Sequence, residues 1–251
     1  MKIEKGTAMK PARILIYGPP GIGKTTLAAS ADDVIVVQTE EGADIVGADR
    51  FPVATSVKDV WDALDQLEKE QHEYRVVAID SLDWFEALAW AEVCKQHKIG
   101  SIEDLGYGKG YVAALDVWRS LLARLTRLRA KNIATVLIGH SQVKRFDPPD
   151  AEAFDRYEIK LHRKAGDLVT EFCDLVGFAT LRMTTKEETS AFGQKKTKAV
   201  SSGERVLRTS ARPSWVAKSR YKIPEELPFE WVALIKAISE GGNDGAAGLH
   251  G

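Results

Sequence analysis

Near the start of the chain, Gly18-Pro-Pro-Gly-Ile-Gly-Lys24-Thr25 joins a glycine-rich turn to a lysine and a hydroxyl. The spacing G-x-x-x-x-G-K-[ST] suits one kind of chemistry, the holding of a triphosphate. Glycines let backbone N–H groups close around concentrated negative charge, and the lysine adds a mobile cation. Gly18, Pro19, Pro20, Gly21, Ile22, Gly23, Lys24, Thr25 and Thr26 are the candidate nucleotide-binding residues. Lys24 would reach the β- and γ-phosphates, and the Thr25 hydroxyl would ligate Mg²⁺. Pro19 and Pro20 stiffen the turn before Gly21. An apolar run, Ile14-Leu-Ile16, precedes the motif and helix-forming residues, Thr26 to Ser30, follow it. That is the strand–loop–helix context the chemistry requires.

Three further polar groups stand at the ends of apolar runs. Val34-Ile-Val-Val37 leads into Gln38-Thr-Glu40-Glu41, Val76-Val-Ala-Ile79 into Asp80, and Ile133 to Ile138 into Gly139-His140. In an open α/β sheet such strand ends share the edge where ligands bind. Asp80 then stands beside Mg²⁺ or its bound water. Any buried strand can end in Asp, and a lone His is more often structural. Placement after a phosphate loop favours the functional reading for Asp80, and for His140 as a sensor of the γ-phosphate.

The intervening segments must hold these edges together. Val57, Val60, Trp61, Leu64 and Leu67 recur at helical spacing. Residues 82–98 predict an aromatic-rich helix whose Trp84, Phe85 and Trp90 serve the core. Residues 111–131 predict a long helix with Arg119, Arg124, Arg127, Arg129 and Lys131 on a solvated face. Residues 143–165, with two prolines and mixed charge, predict a long mobile loop. Lys144, Arg145, Phe146, Arg156, Lys160, Arg163 and Lys164 there combine cations with an aromatic, as single-stranded nucleic acid requires, although five acidic residues dilute the signal. From Arg182 to Arg220 ten Lys or Arg face three Glu, making this the one strongly basic region. Its centre predicts an exposed hairpin, and residues 229–239 a short terminal helix.

The 251 residues are 44% hydrophobic and carry a formal net charge of −1, so no global basicity points to nucleic acid. Cys94 and Cys173 are too few for a disulfide framework or structural zinc. No apolar leader and no run of membrane-spanning length stand out, so a soluble cytoplasmic protein without membrane partners is expected.

In order and spacing these features resemble the short RecA-core ATPases of bacteriophages, recombinases that bind single-stranded DNA and promote annealing. The resemblance covers roughly residues 12–240. It rests on Gly18–Thr25, Val36-Val-Gln-Thr-Glu40, Val76–Ser81, Tyr107-Gly-Lys-Gly110, Leu137-Ile-Gly-His140 and Ala217-Lys218-Ser-Arg220. It implies a RecA-like P-loop NTPase of the α/β class, with a central, mostly parallel sheet flanked by helices and a hairpin-rich C-terminal part. A flexible arm would occupy residues 1–11 and a single core residues 12–240. Within that core, residues 143–165 would be a mobile DNA-binding loop and 184–204 an exposed basic insertion. Residues 241–251 would be a disordered tail. ATP and Mg²⁺ would bind between subunits of a ring or filament. Glu40, or alternatively Glu41, would orient the attacking water, and His140 would couple the γ-phosphate to the DNA loop. Lys218 and Arg220 would reach the neighbouring subunit's nucleotide. A single-strand-binding protein is a further candidate partner, and a phage-encoded chain would work in the cytoplasm of a bacterial host. The chain is short for the extra domains of full-length RecA, which favours annealing over strand exchange. A ring-forming helicase-like or packaging motor, a small-molecule kinase and a regulatory ATP-binding module remain alternatives.

Overall fold

Residues 13–18 open the sheet as β1 (Arg13–Gly18), whose Ile14, Leu15, Ile16 and Tyr17 are all buried. Such a strand alternates nothing because both its faces are covered, as in a doubly wound α/β sheet. The computed structural model describes residues 10–42, 46–150, 152–189 and 195–247. After β1 come α1 (Lys24–Ala29), β2 (Val34–Gln38), β3 (Asp49–Arg50), α2 (Val57–Lys69), β4 (Val76–Asp80) and α3 (Leu82–His97). A 3-10 turn at Ile102–Leu105 leads to α4 (Lys109–Ala130), then β5 (Ala134–Phe146), β6 (Phe154–Ile159) and α5 (Arg163–Phe172). The chain closes with β7 (Leu175–Thr189), β8 (Lys195–Arg208), β9 (Lys218–Ser219), β10 (Glu226–Pro228) and α6 (Trp231–Ala247).

The strand order is β10-β8-β7-β1-β5-β4-β2-β3. Strands β7, β1, β5, β4, β2 and β3 pair in parallel, while β8 and β10 add antiparallel. This is the expected α/β class, with a mixed, mostly parallel sheet. Helices α2 to α5 cover one face, around the fully buried Phe85, Trp118, Leu121 and Leu125. Helices α1 and α6 cover the other, through Leu27, Leu234 and Ile238. Of the aromatics expected in the core of α3, Phe85 is buried and Trp90 packs against the core, but Trp84 is exposed. The basic face of α4 is largely spent within the fold. Arg124 pairs with Asp65 at 3.1 Å and Arg127 with Glu68 at 2.7 Å, both on α2. Arg129 reaches Asp174 at 2.9 Å.

Two segments differ from expectation. In place of a long mobile loop over 143–165, β5 runs on past the sheet to Phe146 and turns back antiparallel as β6, with Lys144 opposite Arg156 and Phe146 opposite Phe154. The two prolines, Pro148 and Pro149, lie in the turn, where a missing N–H costs no ladder bond. In place of a tail disordered from 241, α6 continues to Ala247. Residues 1–9 of the expected arm and 248–251 of the tail lie outside the described residues. Among the described residues no helix is long and apolar enough to cross a membrane.

Candidate active site

Strand β1 delivers the chain to Gly18, where a Cβ would stand 2.4 Å from the Ala179 carbonyl oxygen. Only glycine lets the loop leave the sheet so close to β7. At the other end of the loop Gly23 has φ 95°, in the left-handed region, and opens α1 with no side-chain cap. The first-turn N–H groups are therefore left for an anion. Lys24 is buried, and its Nζ donates to the Gly18 and Pro19 carbonyls at 3.1 and 3.0 Å. Burial lowers its pKa, and the carboxylates of Asp80, Asp83 and Glu40 work against that shift. The lysine is thus folded back over the loop that it would share with phosphates.

The Thr25 hydroxyl donates to Asp80 Oδ2 at 2.6 Å, joining the loop to the end of β4. Asp80 is buried, and burial raises its pKa against the Thr25 bond and the Lys24 charge. A carboxylate so desolvated beside a hydroxyl fits a small hard cation, whose charge would relieve the burial. Among the described residues no group of three His, Cys, Asp or Glu could hold a metal unaided. Mg²⁺ suits such a sparse set, because it is commonly held by one or two protein ligands together with substrate phosphates.

One strand over, the Thr39 hydroxyl donates to the Ser81 carbonyl at 2.6 Å and seats the end of β2 beside Asp80. Glu40 follows, partly buried, while Glu41 is exposed. Burial raises the Glu40 pKa; Ser81 and His140 pull it down, and Asp80 and Asp83 push it up. Glu40 thus lies among the charged groups of this strand edge, and Glu41 lies exposed beside it.

His140 ends the part of β5 that lies within the sheet, opposite Gly18 in register. Its Nδ1 meets Asp83 Oδ2 at 2.9 Å, and its backbone N–H donates to Asp83 Oδ1 at 3.1 Å. Burial alone would raise the Asp83 pKa, but the His140 bonds outweigh it and hold the carboxyl below its ordinary range. One turn along α3, both oxygens of Glu86 accept from the His162 backbone N–H at 3.0 Å. Burial pushes Glu86 up to about 7. Asp83 and Glu86 thus grip the two roots of the β5–β6 hairpin, from the helix that follows Asp80 directly. Tyr17, the residue before Gly18, adds a third tie. Its hydroxyl donates to the Val216 carbonyl at 2.6 Å, with the Tyr157 carbonyl of β6 at 3.2 Å.

The hairpin carries most of the residues assigned to nucleic acid. Arg156 lies over the Phe146 ring at 3.9 Å and pairs with Glu158. Arg145 pairs with Asp155 at 3.7 Å, and beyond the hairpin Arg163 pairs with Asp167 at 4.0 Å. Lys160 and Lys164 are exposed, as are Val143 and Tyr157 on the hairpin itself, while Lys144 is partly covered. A cleft of about 270 Å³ runs beneath, bordered by Lys144, Arg156, Glu158 and Arg163.

Lys218 and Arg220 stand elsewhere. Lys218 Nζ donates to the Thr170 and Glu171 carbonyls at 2.7 and 3.3 Å, where α5 ends. Arg220 meets Asp174 at 2.9 Å, in a cluster shared with Arg13 and Arg129. Arg13 begins β1 and Gly18 ends it, so the pair sits about 17 Å of strand from its own phosphate loop, at roughly 3.3 Å per residue. Neither side chain serves the nucleotide site of its own chain.

Sequence reasoning missed Asp83, Glu86 and Tyr17. Asp83 carries a faint signal, an acidic residue in the first turn of the helix after Asp80; Glu86 and Tyr17 carry none. Compared with known families, residues 10–221 match the family model described as an AAA domain. No curated protein matches the chain.

Proposed function

The chain belongs to the AAA-domain family of P-loop ATPases, and we propose that it is an ATP-dependent single-stranded-DNA-binding ATPase that promotes annealing. One observation carries the step from ATPase to DNA: α3 leaves Asp80 and at once holds both roots of the projecting hairpin, through Asp83 and Glu86. A change at the phosphate end of β4 has a short, packed route to a projecting hairpin that combines cations with aromatics.

Lys24 would leave the Gly18 and Pro19 carbonyls for the β- and γ-phosphates, and the loop N–H groups would hold the remaining oxygens. Thr25 and Asp80 would hold Mg²⁺, which when bound neutralises charge on the phosphate oxygens. Glu40 would orient a water for in-line attack on the γ-phosphorus. The water oxygen bonds to phosphorus, the bond to the β-phosphate oxygen breaks, and ADP and phosphate leave. Burial raises the affinity of Glu40 for the water proton. His140, fixed by Asp83, faces the same strand edge and would report the γ-phosphate to the hairpin. Lys218 and Arg220 would act on a neighbouring subunit's nucleotide, since they stand away from their own. Their carbonyl and carboxylate partners would then be exchanged for phosphate oxygens.

The test is ATP turnover with and without single-stranded DNA, together with binding of a labelled oligonucleotide at two salt concentrations. DNA should stimulate turnover, ATP should tighten oligonucleotide binding, and salt should weaken it as phosphate contacts release counterions. Lys24→Ala should remove the ATP effect. Turnover indifferent to DNA, with no oligonucleotide bound, would leave an ATPase whose partner is something else.

A further inference from the structure

We propose that the cleft between Phe229, Arg205 and the first turns of α1 is the nucleobase site, taking the flat heterocycle of a nucleoside triphosphate. This rests on the ATPase reading of the phosphate loop. The cleft is about 300 Å³ and is bordered by Gly23, Thr26, Leu27, Ser30, Arg205 and Phe229 among others. That is the lower end of the range for small-molecule sites, about 300–1,000 Å³.

Position supports the assignment. Thr25 bonds to Asp80 at 2.6 Å, so the metal-binding and γ-phosphate end of a nucleotide points toward β4 and β2. Its other end must leave α1 on the opposite side of β1, where β7, β8 and β10 lie. Arg205 comes from β8, and Phe229 follows β10. The Phe229 N–H donates to the Arg205 carbonyl at 3.3 Å, which sets the two side chains next to each other. Both reach back over the loop. From the position of a Cβ on Gly23, Arg205 Nη1 is 2.7 Å away and a Phe229 ring carbon 3.8 Å. Arg205 also lies within 3.4 Å of the Ile22 carbonyl.

The chemistry is that of base recognition. A phenyl face and a guanidinium plane both stack on heteroaromatic rings. Leu27 adds an apolar lining and Thr26 a hydroxyl, while the Ser30 hydroxyl donates to the Leu27 carbonyl at 2.7 Å and can only accept from a ligand.

The experiment compares affinity for Mg·ATP and for Mg·tripolyphosphate, which lacks base and sugar, by calorimetry on the full chain. The wild type should bind Mg·ATP more tightly. Phe229→Leu, which keeps an apolar side chain beside Trp231 but removes the ring, should weaken Mg·ATP about 5- to 100-fold, the worth of one stacked base. It should leave Mg·tripolyphosphate within about twofold, and Phe229→Trp should restore Mg·ATP binding. Lys24→Ala should weaken both ligands. Equal wild-type affinities for the two ligands, or parallel losses in Phe229→Leu, would overturn the base site and make Phe229 and Arg205 props of the loop. A wild type that binds neither ligand would instead overturn the ATPase reading.

Discussion

Glu86 is a carboxyl that the fold holds near neutrality, and its replacement tests whether the hairpin root is proton-sensitive. The side chain is almost wholly buried, and burial pushes its pKa from an ordinary 4.5 to about 7. Between those values the folded chain binds more protons than the unfolded chain, so the stabilisation is complete below 4.5 and is lost as pH rises through 7. With those two pKa values, linkage gives a loss of about 2 kcal/mol from near pH 5.5 to near pH 8.5. In Glu86→Gln that slope should vanish, because an amide does not titrate. The amide oxygen can still accept from His162, so the hairpin root should stay in place. Urea unfolding of both proteins at a series of pH values measures the difference directly, and taking it between the two cancels the other titrating groups. If the wild type and Glu86→Gln lose stability in parallel across that range, Glu86 is not held protonated. The placement of its carboxyl between α3 and the hairpin would then need revision.

Glu40→Gln should lower ATP turnover by about 100-fold or more while leaving nucleotide binding intact, since it removes proton acceptance and not phosphate contacts; single-turnover phosphate release with a binding titration reports both. Asp174 takes three arginines, Arg13, Arg129 and Arg220, and although burial opposes it the Arg13 hydrogen bonds and the Arg13 and Arg129 charges hold its pKa low. Asp174→Asn should therefore destabilise the chain by about 3 kcal/mol, the lower end of the cost of breaking a buried ion pair, measured by denaturant midpoint. In the wild type the stability from Asp174 should fade as pH falls through its folded pKa, the opposite direction from Glu86.

The phosphate loop was legible because its chemistry is contiguous: the backbone of Gly18 to Thr25 makes the anion site, and no distant residue is needed to recognise it. Strand ends were legible for a related reason. A doubly covered strand is mostly apolar, so the polar residues that follow it, Glu40, Asp80 and His140 among them, mark the open edge. The spacing between Glu40 and Glu41 did not distinguish them; the turn after β2 leaves Glu40 partly buried and Glu41 exposed. The β5–β6 hairpin was hidden because its strands are polar and charged on both faces. Lys144 pairs with Arg156 and Phe146 with Phe154 on one face, so charged and apolar residues are mixed there and no apolar alternation can be read.

What this sequence determines by itself is therefore local: a triphosphate loop between a buried strand and a helix, and a row of polar strand ends. Tertiary structure alone decided which further carboxylates anchor the hairpin. Asp83 and Glu86 look like any acidic pair three apart on a helix. They become anchors only because α3 packs against β5 and the start of α5. It also decided that Lys218 and Arg220 lie at the far end of β1 from their own nucleotide site, while Arg205, on β8, lies over it. Sheet order sets these distances, and sheet order depends on contacts between residues far apart in the chain.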